Sequence, residues 1–226
     1  MYKKCNDCFA SANEFVEIEM AQKKWMVFPD TNVLLDFYRL PGEAARRQLK
    51  LLEKHKESLI LGDQQRMEFM NNRQDAIVAG IQKMTKPPRP SFPSVLLDAK
   101  PAKAVIKSHK DAEERWKKLQ KRIEAMLVDP FNADPVYQHL NRIFDYEGPF
   151  NLKRPDKLRF TIRNLARKRC SLGYPPRKPN AMSLGDSIHW EWIIHCAQSS
   201  SEYHNILIVS RDGDFGITYS GKTILN

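Results

Sequence analysis

The chain has 226 residues, a formal net charge of +10 at pH 7 and four cysteines. A chain of this length buries enough apolar surface to fold without disulfide bonds, so we expect the cysteines to be reduced. No apolar run approaches the roughly 18 residues of a membrane-spanning helix, and the N-terminus lacks the apolar core of a signal peptide. These features argue against a membrane protein and a disulfide-rich secreted protein, and they predict a cytoplasmic location.

Short apolar runs alternate with longer amphipathic segments along the chain. The predicted strands are Trp25 to Phe28, Ser58 to Leu61, Ile206 to Val209, Ile217 to Tyr219 and Thr223 to Leu225. The predicted helices are Thr31 to Arg39, Glu43 to His55, Asp63 to Met84, Ala102 to Val128, Asp134 to Phe144, Asp156 to Ser171 and Ser183 to Gln198. This alternation indicates an α/β fold, a three-layer α/β/α sandwich around a mostly parallel sheet. We expect residues 1–24 to form an N-terminal extension and residues 25–226 one domain, with a helical insertion at about 85–152.

Positive charge is concentrated between residues 151 and 180, where ten basic residues accompany one acid, Asp156. The basic residues are Lys153, Arg154, Lys157, Arg159, Arg163, Arg167, Lys168, Arg169, Arg177 and Lys178. Such a concentration indicates a polyanionic partner, although a solvated helix face would also produce it.

Four acids stand where a predicted strand ends or a predicted helix begins. Asp30 ends the first strand, and Glu68 lies one turn into the helix after the second strand. Asp186 lies in the first turn of the last helix, and Asp212 follows the next strand, with Asp214 two residues later. In an open α/β sheet these positions share one edge. Oxygen ligands without a His or Cys cluster favour Mg²⁺ or Mn²⁺, and such ions support phosphodiester hydrolysis.

Each acid also has a purely structural interpretation. Asp30 and Asp186 could cap helices, and Glu68 could be a solvated helix residue. Asp212-Gly213-Asp214 could be a turn. The joint pattern favours a metal site, because clustered carboxylates repel one another and a cation relieves that repulsion.

Four blocks of the chain resemble the PIN domain, the metal-dependent ribonuclease fold of VapC-type toxins and their relatives. The blocks are Pro29-Asp30-Thr31-Asn32-Val33-Leu34-Leu35-Asp36, Glu68-Phe69 with Asn72-Arg73, Gly185-Asp186-Ser187-Ile188-His189-Trp190, and Val209-Ser210-Arg211-Asp212-Gly213-Asp214-Phe215. The resemblance extends from Trp25 to Leu225, and the long central segment resembles the helical insertion of the larger PIN-like group. It implies a quartet of catalytic acids that binds one or two Mg²⁺ or Mn²⁺ ions, with polar residues that support it. The quartet is Asp30, Glu68, Asp186 and Asp212, with Asp214 as an alternative, and the supporting residues are Thr31, Asn32 and Ser210.

Five arginines are candidates for binding nucleic acid, because the planar guanidinium fork suits phosphate. They are Arg39, Arg73, Arg159, Arg163 and Arg167. Arg39 and Arg73 each lie near a proposed catalytic acid and are expected to hold the scissile phosphate. The other three recur every four residues, so they form one stripe of a helix. The buried face of that helix is expected to carry Leu158, Ile162 and Leu165.

The sequence therefore predicts a metal-dependent endonuclease that cleaves RNA, and the resemblance implies a toxin or an antiphage-defence effector. An inhibitory or regulatory protein partner and an oligomer are compatible with this prediction, and a membrane partner is not expected. One alternative is a DNA or flap-type nuclease of the same fold. Another is a catalytically inactive nucleic-acid-binding subunit, against which the intact quartet argues. His189 and His195 are interpreted as core or interface residues.

Overall fold

A computed structural model describes residues 24–176, 184–211, 216–219 and 222–225. The described strands are β1 (Lys24–Pro29), β2 (Leu61–Gly62), β3 (Asn151–Leu152), β4 (Tyr203–Val209), β5 (Gly216–Tyr219) and β6 (Lys222–Leu225). The described helices are α1 (Thr31–Leu35), α2 (Gly42–Lys54), α3 (Asp63–Gln82), α4 (Lys100–Val128), α5 (Pro130–Ala133), α6 (Pro135–Asp145), α7 (Leu158–Leu172) and α8 (Gly185–Ser199). Asp212, Asp214 and residues 1–23 of the predicted extension lie outside the described residues.

The first four strands are parallel and adjacent. β1 pairs with β4 along its length, and β2 pairs with β3. A bridge between Val27 and Leu59, together with the hydrogen bond from Ile60 N to Val27 O (2.8 Å), joins β2 to β1. The resulting order is β4, β1, β2, β3, so the carboxyl ends of all four strands lie at one edge. β5 and β6 form an antiparallel pair.

Successive residues of the central strands point to opposite faces, and helices cover both faces. Met26, Phe28 and Ile60 lie in a core with residues of α7 and α8, which we call the α8 core. Val27 and Leu61 pack on the other side with residues of α1, α2, α3 and α6, which we call the α3 core. This two-sided burial is the three-layer α/β/α arrangement that the sequence predicts.

Three local expectations are wrong. The strand predicted from Ser58 to Leu61 begins later, because a 3₁₀ turn covers Lys56–Ser58 and β2 is Leu61–Gly62. The helix predicted from Thr31 to Arg39 ends at Leu35 and continues as a 3₁₀ turn over Asp36–Tyr38. Leu165 is expected on the buried face of α7, but its side chain is 43% exposed. Ile162 and Ala166, one helical turn apart, form that face instead. β3 was not predicted, because two residues are too few to give an alternating pattern.

The region predicted as an insertion contains two kinds of structure. In α4 only Ala102 is buried, so most of this 29-residue helix faces solvent. In α6, by contrast, Val136, Leu140 and Ile143 belong to the α3 core, and the following strand β3 extends the sheet. Residues 135–152 therefore complete the core and the sheet.

In the part of the chain that the structure describes, none of the helices has both the length and the apolar character needed to cross a membrane.

A buried ion pair joins α3 to the start of α6. The side chains of Arg73 and Asp134 are 3% and 0% exposed, and Arg73 Nε lies 3.3 Å from Asp134 Oδ2. Asp134 also accepts hydrogen bonds from Tyr38 Oη (2.6 Å) and from the backbone N–H of Tyr137 (3.0 Å). Burial nevertheless raises the pKa of Asp134 above its ordinary value. The expectation that Arg73 holds the scissile phosphate is wrong, because its guanidinium is enclosed in the core.

Replacing Arg73 with Met should destabilise the protein by about 3–5 kcal/mol at neutral pH, because the Asp134 carboxylate stays buried without its cation. In this variant the pKa of Asp134 rises further above the unfolded value, so the folded state binds a proton more tightly than the unfolded state. The destabilisation should therefore shrink as the pH falls toward the unfolded pKa of about 4. Urea denaturation at neutral and at mildly acidic pH measures both effects.

Arg66→Met is the matched control. Arg66 also lies on α3 and pairs with Asp145 of α6 (2.7 Å), but the Asp145 side chain is 53% exposed. An exposed pair of this kind contributes about 0–1 kcal/mol. If Arg73→Met cost no more than Arg66→Met, the buried pair would not have the importance assigned to it.

Candidate functional site

The end of β1 brings Asp30 to the carboxyl edge of the sheet. Its backbone N–H donates to Val209 O (2.8 Å), which extends the pairing of β1 with β4 by one residue. One carboxylate oxygen accepts from the Thr31 N–H (2.7 Å) and so caps α1. The other accepts from Asn32 Nδ2 (2.9 Å) and Ser210 Oγ (2.5 Å). The three residues expected to support the site therefore all hydrogen-bond to Asp30.

Glu68 lies at the same edge and is held by three donors. Its carboxylate accepts hydrogen bonds from Thr31 Oγ1 (3.0 Å), Gln64 Nε2 (2.8 Å) and His189 Nε2 (2.9 Å). An ionised carboxylate can only accept, so His189 donates from Nε2. Burial alone raises the pKa of Glu68, but the hydrogen bonds from His189, Gln64 and Thr31 outweigh burial and hold this pKa below its ordinary value. Glu68 is therefore ionised at neutral pH.

Acids from three separate elements line one cavity of about 510 Å³. Asp30 comes from the end of β1, Glu68 from α3, and Asp186 from the first turn of α8. Leu184 occupies the N-cap position of α8, and Asp186 is the second residue of that helix. Three of the four quartet acids predicted from the sequence thus share a cavity, and the fourth, Asp212, lies outside the described residues.

One face of α3 adds further polar groups to this cavity. Glu68, Asn72 and Asp75 follow one another at spacings of four and three residues, and all three line the cavity. Asp75 was missed in the sequence analysis, although its position seven residues after Glu68 places it on the same helix face. Arg39 contributes a positive charge to the lining.

A family model described as the PIN domain matches residues 27–215. The chain belongs to the PIN domain family. No curated protein and no solved structure matched the chain. PIN domains have a nuclease-type fold and act on nucleic acids, typically with divalent metals. The predicted resemblance to the PIN domain is confirmed, whereas the likeness to VapC-type toxins in particular stays a prediction.

The donor set in this PIN domain suits a hard divalent cation. Asp30, Glu68, Asp75 and Asp186 offer carboxylate oxygens, which Mg²⁺ and Mn²⁺ prefer. Among the described residues, no three His, Cys, Asp or Glu side chains are close enough together to surround one ion. In the sequence, Asp212 is two residues after Ser210, whose hydroxyl donates a hydrogen bond to Asp30.

A second group missed in the sequence analysis is centred on Asp36, whose side chain is 4% exposed. Its Oδ1 accepts from Arg39 Nη1 (2.5 Å) and from Arg211 Nη1 (2.6 Å). The backbone N–H of Arg211 also donates to Asn32 Oδ1 (3.2 Å). Asp36 therefore ties the segment after β4 to the turn after α1 and orients Arg39, which lines the acidic cavity. The motif containing Asp36 was recognised in the sequence, but nothing in it indicated that two arginines share this acid.

The five candidate arginines are distributed over four environments. Arg39 is at the acidic cavity, and Arg73 is buried against Asp134. Arg159 and Arg163 line a second pocket, which also includes His189. Arg167 is exposed on α7, where it donates to Asn164 (3.2 Å).

Replacing either Arg39 or Arg211 with Gln should cost less than about 1 kcal/mol of stability, because both are half exposed and the remaining arginine still neutralises Asp36. Replacing both should cost about 3–5 kcal/mol, because a buried carboxylate then has no cation. The loss in the double variant should therefore far exceed the sum of the single losses. Urea denaturation of the three variants measures this difference.

Adding Asp36→Asn to the double variant should recover part of the loss, because it removes the uncompensated charge. Single losses that simply add in the double variant would contradict the shared role of Asp36.

Proposed function

We propose that this PIN domain protein is a metal-dependent endonuclease that hydrolyses phosphodiester bonds in RNA. The observation that carries the proposal is the convergence of Asp30, Glu68 and Asp186 on one cavity in an otherwise basic protein. Asp212 completes the proposed catalytic quartet, and Asp214 is the alternative fourth acid.

These acids would hold one or two Mg²⁺ or Mn²⁺ ions. When bound, such an ion lowers the pKa of a coordinated water and offsets phosphate charge. The chain contributes oriented carboxylates, since hydrogen bonds fix both oxygens of Asp30 and of Glu68. The low pKa of Glu68 supports this role, because a ligand must be deprotonated to bind the cation.

Arg39 is the residue best suited to contact the scissile phosphate. Arg39 lines the acidic cavity, and its Nη1 donates to Asp36, which leaves other N–H groups of the planar fork available. Anchoring reduces the conformational entropy lost when the substrate binds.

The family resemblance is what supports RNA as the substrate and a role as a toxin or defence effector. Cleavage of RNA, and action as a toxin or an antiphage-defence effector under the control of a partner protein, extend what PIN domains in general do. A DNA or flap-type nuclease is the alternative with the same chemistry.

The test is cleavage of labelled single-stranded RNA, single-stranded DNA and a DNA flap, each with Mn²⁺ and with EDTA. We expect internal cleavage of RNA that requires the metal. Preferential cleavage of DNA would favour the alternative nuclease, and binding without cleavage of any substrate would favour an inactive subunit.

In the same assay Asp30→Asn and Asp186→Asn should each lower cleavage by at least about 100-fold, because the amide cannot supply the charge that the cation requires. The fold should persist, since Asn at position 30 can still cap α1. Asp111→Asn on the exposed face of α4 is the matched control and should keep full activity. Undiminished cleavage by Asp186→Asn would remove that residue from the proposed quartet.

Millimolar Mn²⁺ or Mg²⁺ should raise the melting temperature of the wild-type protein by mass action. At a metal concentration ten times the dissociation constant, the gain in unfolding free energy is about 1.4 kcal/mol. The double variant Asp30→Asn/Asp186→Asn should lose most of this gain, whereas Asp111→Asn should keep it. An equal gain in all three proteins would show that the ion acts elsewhere or by general screening.

A further inference from the structure

A second, smaller pocket of about 60 Å³ adjoins the acidic cavity. Gln64 and His189 line this pocket, and both donate hydrogen bonds to the carboxylate of Glu68, which lines the acidic cavity. These two hydrogen bonds link the pocket to the proposed site of cleavage. We call this second pocket the arginine pocket.

Cationic side chains from two elements surround the arginine pocket. Lys153 and Arg154 come from the segment after β3, and Arg159 and Arg163 come from α7. Asp63 is the acid that lines it among the described residues. The ammonium of Lys153 donates to Phe144 O (2.5 Å).

The arginines of this pocket differ from the other arginines near the site. Arg154, Arg159 and Arg163 form no salt bridge with any residue in the described ranges, whereas Arg39 and Arg73 each have a carboxylate partner. Three guanidinium groups in one small pocket repel one another, and an anion would relieve that repulsion.

Arg159 gives the most specific indication of a ligand. Its guanidinium lies 4.5 Å from the centre of the Phe160 ring, a cation–π contact that favours this orientation. Its Nε–H is shielded from solvent and has no acceptor among the described residues. A shielded donor without an acceptor is unfavourable, and a phosphate oxygen is the acceptor that a guanidinium fork fits best.

We propose that the arginine pocket binds one backbone phosphate of an RNA strand, close along the strand to the phosphate that is cleaved. This inference rests on the proposed function and assigns a substrate contact to Arg154, Arg159 and Arg163. Arg167 does not line the pocket, so Arg159 and Arg163 are the two arginines of the predicted stripe that contribute to it.

The experiment measures binding of a short labelled oligouridylate to the full-length protein in EDTA, over a series of salt concentrations. The variant Arg159→Gln/Arg163→Gln is compared with Lys157→Gln/Lys168→Gln. The control removes the same charge from exposed positions at the start of and within α7 that do not line the pocket. Thermal melting confirms that both variants are folded.

We expect Arg159→Gln/Arg163→Gln to bind about tenfold or more weakly, the usual cost of losing hydrogen bonds to a charged group. The slope of log affinity against log salt should fall by about 0.7, the value for one phosphate of a single strand. The two single variants should not add, because both arginines hold the same phosphate. The control should change affinity less than about threefold, the expectation for exposed charges.

Equal losses in the variant and the control, or no loss in either, would overturn the arginine pocket as a phosphate site. Because the measurement is made in EDTA, it does not depend on catalysis. Pocket-dependent binding by a protein that cleaves nothing would contradict only the proposed function. Cleavage by a protein whose Arg159→Gln/Arg163→Gln variant behaves like the control would contradict only this inference.

Discussion

The parallel pairing of β1 with β4 is the constraint on which the site depends. The pairing continues past the strand end through the hydrogen bond from Asp30 N to Val209 O, and the next residue, Ser210, donates to the Asp30 carboxylate. Residues 180 positions apart in sequence are thereby brought into hydrogen-bond contact. A shift of register by one residue would turn Met26 and Phe28 out of the α8 core, so burial of these large side chains fixes where Asp30 lies.

The charged residues near the site are stabilised in two different ways. Asp30 accepts hydrogen bonds from a backbone N–H, an amide and a hydroxyl. Glu68 accepts them from a hydroxyl, an amide and the imidazole of His189. Because none of these donors is a Lys or Arg side chain, both carboxylates can still attract a cation. Asp36 and Asp134 are instead compensated by arginines, and they serve to hold structure together. A carboxylate already neutralised by a guanidinium is a poor metal ligand, so this division separates the candidate catalytic acids from the structural ones.

The sequence predicted the layers and the edge of the sheet because both follow from local patterns. The apolar run before Asp30 and the helical spacing around Glu68 predict the elements that carry those acids, and strand pairing then brings the two elements to one edge of the sheet. Contacts between distant segments do not follow from such patterns: the sequence predicts Arg73 as a phosphate ligand, whereas in the fold it pairs with Asp134, 61 residues later. The sequence predicts His189 as a core or interface residue, and it is buried, but it also reaches the carboxylate of Glu68. A buried histidine can therefore pack its ring in the core and still donate a hydrogen bond to a candidate catalytic acid.

Helix α3 sets the geometry that a substrate would meet. Its first turn is tied to the sheet by the hydrogen bond from Gln65 Nε2 to Pro29 O, the residue before Asp30. Gln64 lines the arginine pocket, and Glu68, one turn later, lines the acidic cavity. Because a helix has a fixed rise and rotation per residue, the separation between the two pockets is set by the backbone of α3. An RNA strand with one phosphate bound in the arginine pocket would therefore place a phosphodiester linkage at a fixed distance from the acids in the other cavity.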